Sequence, residues 1–445
     1  MRIVVVGAGS RSFGPATMRD IWLSEALNEH GVDLVLMDKA KDALETALEY
    51  AAFLNARLKR SVQVTATTDL DEALRGADFV VCAIEVNRYL YWAQDFHVPR
   101  HFGFRQPYGE NGGIGGLFHA LRNMPPMVEI ARAMERACPK AWLLSYTNPE
   151  HKLCEAITRL TSTPVVGLCH GVFDGRGQIA HILDVPLDDI ETYACGINHF
   201  TFFETIRRRS TGEDLYPRLR QIDAESHELS QWHHLALGRV LLRRFGLWPS
   251  PASNHYAEYI RWADEFVVSE LQFYYDPAGG HPWHTGKVPE FVYEATGAES
   301  GPRWREEPAR PARLEEAPLK PSGELGVPII EAIGLDERRE LPAVNVPNRN
   351  AIPGLPDDLV VEVPATADEN GLHPRQMEPL PEAIAALIRT QASIHKLLVE
   401  AYAEESKDKL LQAILLEPTV DSYRRAVAMM DEMLTLQRDI LPPLQ

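Results

Sequence analysis

Cysteine is scarce and unpaired in this chain: five residues, Cys82, Cys138, Cys154, Cys169 and Cys195, with no CxxC among them. An odd, scattered set excludes a disulfide framework and fits a reducing compartment. Long apolar runs are missing too, since nothing reaches the roughly 18 residues a membrane-spanning helix needs. Positive charge is the third shortage. Lys and Arg number 45 against 63 Asp and Glu, a net −18, and such a surface repels nucleic acid and anionic membrane. No internal repeat is visible, and no charged leader stands ahead of a long apolar stretch. A cytoplasmic chain is expected, with neither membrane nor nucleic acid as partner.

What is present is a strand-and-helix alternation. With 445 residues, 45% of them hydrophobic, the chain can bury the cores of two or three domains. Ile3–Val6 is a continuous apolar run of the kind that a strand covered on both faces shows. Gly7–Ser10 turns the chain, and Pro15–Leu27 reads as a helix. Strands are expected at Val32–Met37, Ser61–Ala66, Phe79–Ile84 and Ala141–Ser145, with helices at Ala40–Leu58, Asp69–Arg75 and Met127–Ala137. The alternation predicts an α/β fold, a Rossmann-type doubly wound parallel sheet over residues 1–195. From residue 196 the pattern changes to mixed helices with polar breaks, so residues 196–445 are expected to form an α+β substrate and oligomerisation domain. Pro381–Tyr402 and Asp421–Leu436 read as its closing amphipathic helices, and the Pro-, Arg- and Glu-rich stretch 302–326 as a solvated, mobile insert.

Gly7-Ala8-Gly9-Ser10, between strand and helix, matches the start of a dinucleotide fingerprint. Glycines there let backbone amides approach a pyrophosphate at a helix N-terminus. The third glycine of GxGxxG is replaced by Ser12, with Gly14 slightly later. Asp38, closing the second strand, can accept from both ribose hydroxyls and so favours NAD over NADP. A glycine turn in a sheet that binds nothing is the bland alternative.

Cys169 and His199 stand in glycine-framed turns, Gly167-Leu168-Cys169-His170-Gly171 and Cys195-Gly196-Ile197-Asn198-His199. Alone, each reads as a core residue. Cys169 follows Val165-Val166-Gly167, however, a strand end where an open parallel sheet places its ligands. One thiolate and one imidazole make an unsaturated metal site with positions left for substrate oxygens, suited to Mn²⁺ acting on a carbonyl, with zinc or iron also compatible. Asn148, in Asn148-Pro149 after a strand, can hold a substrate hydroxyl or simply form a turn. Glu110 lies in the glycine-dense loop Gly109–Gly116, either as a general acid or on a surface turn.

Together these pieces resemble glycoside hydrolase family four, the NAD-dependent α-glycosidases and 6-phospho-glycosidases. The matches run along nearly the whole chain. They include Gly7–Ser10, Leu36-Met37-Asp38, Gly113–Arg122, Thr147-Asn148-Pro149, Gly167–Gly171, Gly196–His199, Asn345-Val346-Pro347-Asn348, Val360–Pro364 and Asn370-Gly371. The resemblance implies a fold like that of lactate and malate dehydrogenases and a hydrolysis outside the two-carboxylate scheme. NAD⁺ takes hydride from sugar carbon 3 and the metal polarises the ketone. A base then removes the proton on carbon 2, the aglycone leaves, water adds, and the hydroxyl is restored. It further implies NAD binding at Gly7, Gly9, Ser10, Arg11 and Asp38, metal ligation by Cys169 and His199, and sugar contacts from Asn148, His170 and Asn198. Glu110 falls at the family's acidic position, read as the donor to the leaving group. The base position departs from the family: three residues beyond Pro249 stands Ala252, which takes no proton. Tyr256 or His255 is expected to serve instead, the tyrosine only with a lowered pKa.

The Cys169-His170-Gly171 form of the motif favours a non-phosphorylated α-glycoside, a galactoside or glucoside. Arg11, Arg88, Arg105 and His119 leave room for an anionic sugar, a uronide or sulfoquinovoside, Arg88 being the one read as a substrate contact. Surface ion pairing is the alternative for each arginine. A homodimer or homotetramer is implied by resemblance. The competing classes are an NAD-dependent 2-hydroxy acid dehydrogenase and a non-catalytic NAD-binding sensor.

Overall fold

The computed structural model describes residues 1–10, 13–226, 234–267, 271–274, 278, 280–284, 286, 290–293 and 319–445. Six parallel strands open the chain: β1 (Arg2–Val6), β2 (Asp33–Met37), β3 (Gln63–Thr67), β4 (Phe79–Cys82), β5 (Trp142–Ser145) and β6 (Val165–Gly167). They lie in the order β3-β2-β1-β4-β5-β6, the dinucleotide-binding arrangement, with the order reversing between β1 and β4. The sheet then continues without a break into antiparallel strands from the rest of the chain: β7 (Ile190–Ile197), β8 (Phe200–Arg208), β9 (Trp248–Ser250), and, past a separate pair β10 (Leu271–Tyr274) and β11 (Glu290–Tyr293), β12 (Arg339–Pro347), β13 (Val360–Asp368) and β14 (Gly371–Pro374). β12 and β13 wedge between β6 and β7, so the full path runs β6-β12-β13-β7-β8-β9.

Alternation along the strands explains why both faces are covered. Ile3 and Val5 of β1, with Leu34 and Leu36 of β2, enter one apolar cluster; Val4 and Val6, with Val35 and Met37, enter another. Helices Phe13–Leu23 and Lys41–Leu58 pack on the first face and Gly113–Ala137 and Glu150–Leu160 on the second, while Glu382–Ala403 contributes to both clusters. The expected α/β class holds, and the closing helices fall at Glu382–Ala403 and Tyr423–Leu436.

Three expectations are corrected. The first helix ends at Leu23, because Ser24 breaks the run and caps a second helix, Glu25–His30, by accepting from the Leu27 amide at 3.0 Å. The helix expected from Met127 begins at Gly113, so half of the glycine-dense segment is helical despite its composition. A side chain on Gly116 would sit 2.5 Å from the Asn111 backbone, so close packing outranks helix propensity. Of the 302–326 insert, residues 302–318 lie outside the described residues. Its end is held in place: Ser322 donates from its amide to Asp20 at 2.8 Å, and Gly326 opens a helix.

Hydrogen-bonded register aligns one row across the sheet. It passes through Thr67, Met37, Val6, Cys82, Ser145 and Gly167 on the parallel side, then Asn345, Glu362, Gly196, Thr201 and Ser250 on the antiparallel side. The residues just beyond this row, at the carboxyl ends of β1, β2, β5, β6 and β7, are those the sequence singled out.

Candidate active site

The nucleotide turn comes first. Gly7, in the left-handed region at φ 82°, leaves β1 facing β4; a side chain there would meet the Ala83 carbonyl oxygen at 2.3 Å. Gly9 donates its amide to the Asp38 carboxylate at 2.8 Å, and Ala40 donates to the same carboxylate at 3.0 Å. Ser10 Oγ accepts from the Phe13 amide at 3.3 Å, at the start of the helix. Gly14 performs the task of the missing third glycine: a Cβ there would come within 2.5 Å of the Ala8 carbonyl oxygen, so only glycine lets this helix close onto the turn. Arg11 lies outside the described residues. A backbone cradle that any side chain would fill, ending at a strand-borne carboxylate, fits a dinucleotide.

Cys169 emerges from β6 at the N-terminus of helix Gly171–Leu183, its sulfur accepting from the Gly171 amide at 3.4 Å and from the Asn198 side chain. Burial pushes its thiol well up, with the Glu362 charge adding to the effect. His199 occupies the second place of the two-residue loop joining β7 to β8, at φ 65°. Holding a residue other than glycine there costs about 1 kcal/mol, a strain characteristic of functional turns. Its ring is buried, burial holds its pKa well down, and among the described residues its Nδ1 has no hydrogen-bond partner. A neutral imidazole with an orphaned nitrogen, next to an asparagine that supports the cysteine sulfur, fits a soft-to-borderline divalent cation. A ligand atom each from Glu110, His199 and His255 also lie within 4.8 Å of one another.

His255 faces the site. Its ring meets His199 edge-on at 4.5 Å and lies tilted against Tyr108 at 4.9 Å. Nδ1 donates to Asn254 Oδ1 at 2.7 Å, which leaves Nε2 to present a lone pair. Burial lowers its pKa against the pull of Glu110 and Asp174, so the ring is neutral and able to take a proton. Tyr256 is a correction. Its hydroxyl points into the core towards Ser253 Oγ at 3.0 Å and the Gly238 backbone, and burial raises its pKa, the reverse of what a base requires.

Glu110 is buried, so the surface-turn alternative falls. Burial pushes its carboxyl up, but Arg88, His255 and His119 outweigh that and hold it below the ordinary range. In this structure Glu110 is thus a charge partner of Arg88. Arg88 stands beside it. It bonds Glu110 and, at 3.4 Å, Glu85, and lies 4.5 Å over the Trp92 ring, so its charge is already matched by two carboxylates. Arg105 is 80% exposed and paired with Asp264 at 2.9 Å, a surface ion pair. His119 bridges the Glu110 carbonyl and Glu85 at 2.8 and 2.9 Å. His170, 59% exposed, stands at the mouth beside Glu324 at 3.5 Å.

Asn148 and Asn198 are joined through a residue the sequence reading passed over. Asn111 donates from Nδ2 to Asn148 Oδ1 at 3.4 Å and to Asn198 Oδ1 at 3.2 Å. Asn198 in turn donates to both oxygens of Glu362 at 3.5 Å. Glu258 accepts from the amides of Glu110, Asn111 and Gly112 at 2.8, 3.2 and 3.1 Å and so pins the loop; burial nonetheless pushes its carboxyl up to about 8. Lys152, fully buried, donates to the Asn111 carbonyl from the opposite side. Three buried charged residues within two turns of a helix, Glu150, Lys152 and Glu155, are a signal that could have been used, since buried charge of this density needs a reason.

Family models for "Family 4 glycosyl hydrolase" and its C-terminal domain match residues 2–185 and 194–420. An alpha-glucosidase of Erwinia rhapontici is 31% identical, over 98% of this chain and 98% of its own. An alpha-galactosidase of Bacillus subtilis (strain 168) is 32% identical over 99% of each. A solved 6-phospho-alpha-glucosidase from gut microorganisms, in complex with NAD and Mn²⁺, shares the fold with a TM-score of 0.76 at 22% identity, over 100% of this chain and 99% of that one. The chain, with its nucleotide turn and its cysteine–histidine pair on one sheet edge, belongs to family 4 of the glycosyl hydrolases.

Proposed function

We propose that this enzyme hydrolyses α-glycosides of neutral, non-phosphorylated hexoses, holding NAD at Gly7–Ser10 and Asp38 and a divalent cation, Mn²⁺, at Cys169 and His199. The observation that carries the reading is the convergence at one end of the sheet. The Cys169 sulfur and the His199 turn meet at Asn198, with His255 against His199 and Glu110. When bound, the two groups supply hydride exchange at sugar carbon 3 and polarisation of the oxygen there.

The protein's own residues do the rest. His255 Nε2 takes the proton from carbon 2; the Asn254 contact fixes its tautomer, and ionised Glu110 stabilises the imidazolium that forms. Arg88, tied to Glu85, keeps Glu110 in that ionised state. Asn148 and Asn198 orient sugar hydroxyls, and the exposed His170, beside Glu324, is a further sugar contact. Neutral sugars are favoured because both described cations of the site face carboxylates, Arg88 with Glu85 and Glu110 and Lys152 beside Glu417. We further infer residues 1–195 as the nucleotide domain, 196–445 as the substrate and oligomerisation domain, and a cytoplasmic homodimer or homotetramer.

The test is a panel of 4-nitrophenyl α-glycosides, neutral and acidic, with NAD⁺, Mn²⁺ and a thiol reductant. Sugar release without net NADH, slowed by deuterium at carbon 2, is expected. Steady NADH accumulation from a 2-hydroxy acid would instead identify a dehydrogenase, and cofactor binding without metal-dependent turnover a sensor.

A further inference from the structure

Asn111 is buried completely, yet its polar atoms divide sharply into engaged and free. Its amide N–H donates to Glu258 at 3.2 Å and its carbonyl accepts from the Lys152 ammonium. Both hydrogens of its side-chain amide are committed, one to Asn148 Oδ1 and one to Asn198 Oδ1. Its Oδ1 has no partner among the described residues. The orientation is not a free choice of the amide. Glu362 accepts from Asn198 Nδ2, which turns Asn198 Oδ1 towards Asn111, which in turn must present its NH₂ there. A carboxylate on β13 thus sets two amides in series and leaves one acceptor pointing away from both asparagines.

A buried acceptor whose neighbouring groups are all engaged and which itself lacks a donor is costly unless something donates to it. We propose that Asn111 Oδ1 is a specificity-determining substrate contact that accepts a hydrogen bond from one hydroxyl of the bound sugar. The inference rests on the glycosidase reading and deepens it. The group received there must be a donor, so a hydroxyl fits, whereas a carboxylate, phosphate or sulfonate at the same position would set acceptor against acceptor. Glu258 and Lys152 then act as positioning residues, fixing the loop backbone so that Oδ1 does not relax away.

The experiment couples a variant with altered substrates. The 4-nitrophenyl α-D-hexoside turned over fastest is compared with its 2-, 4- and 6-deoxy analogues in the wild type, Asn111→Ala and Asn111→Ser, all loaded with NAD⁺ and Mn²⁺. Wild-type kcat/KM is expected to drop roughly 10- to 100-fold on one deoxy analogue. Asn111→Ala should lose a similar factor on the parent sugar but nothing further on that analogue, while Asn111→Ser recovers part of the discrimination. A purely structural role would lower every substrate by the same factor, and losses that multiply on all three analogues overturn the assignment. An independent readout needs no variant: in a crystal of the wild type with the parent hexose, Oδ1 must lie within hydrogen-bond distance of a sugar hydroxyl. A water there, with the sugar elsewhere, also overturns it. No turnover of any 4-nitrophenyl α-hexoside would refute the neutral-hexoside reading itself, whereas turnover without coupling refutes only the role of Asn111.

Discussion

The two halves of the single sheet carry chemistry in different ways. On the parallel side the buried strand residues are mostly apolar and the candidate groups follow the strands: Gly7–Ser10 after β1, Asp38 after β2, Asn148 after β5, Cys169 after β6. On the antiparallel side polar groups lie within the strands, with Asn345 and Glu362 adjacent in register and both buried. Parallel strands expose only their ends because helices cover both faces. The antiparallel insertion instead brings polar side chains under the site as a floor, where the Glu362 carboxyl is pushed up to about 7 by burial.

The sharpest way to break this comparison is at the pair that spans both halves. Cys169→Ser, or removal of divalent cations with EDTA, should lower turnover by at least about 10³-fold while NAD affinity, measured by titration, stays within a factor of two. Metal-dependent turnover retained in Cys169→Ser would show that the sulfur is not a ligand. Next comes the proposed base, wholly on the antiparallel side. His255→Ala is expected to cost about 10²- to 10⁴-fold in kcat, whereas Tyr256→Phe changes it by no more than about threefold. The opposite ranking would restore the tyrosine.

A parallel-side change should separate binding from chemistry. Asp38→Ala is expected to weaken NAD about tenfold, through lost ribose contacts, with kcat at saturating NAD little altered. The smallest effect is on stability. Burial raises the Glu150 carboxyl well above its ordinary value, so the folded protein keeps a proton that the unfolded chain releases. Stability should therefore fall as pH rises through and beyond the ordinary carboxylate range, by at most about 1.4 kcal/mol per pH unit. Denaturation of Glu150→Gln across pH should show that slope flattened; an unchanged slope removes Glu150 as its source.

Much of the parallel half was legible because its signals are local. Ile3–Val6 and Phe79–Ile84 are unbroken apolar runs, and glycines 7 and 9 mark a turn that few other residues permit. The strands β12 and β13 were not read as strands, since Asn345 and Glu362 interrupt their apolar pattern and burial of a carboxylate has no local signature. Between His255 and Tyr256 the sequence offers no decision: neighbours on a helical turn diverge by about 100°, and only the packing of Tyr256 against Gly238 shows which one faces inward. Glu110 was located in sequence but its charge partner was not, because Arg88 lies 22 residues earlier. Asn111 was hidden for a related reason, all its partners being distant along the chain.

The wedging of β12 and β13 between β6 and β7 bears on how the enzyme matures. During synthesis, Cys169 and His199 emerge long before residues 339–368, which must slide between their strands to complete the floor. Until then nothing bridges β6 and β7, and a nascent chain would hold an unclosed edge at the proposed metal site. With the ion held at Cys169 and His199 as proposed, its capture is expected only once β13 has seated.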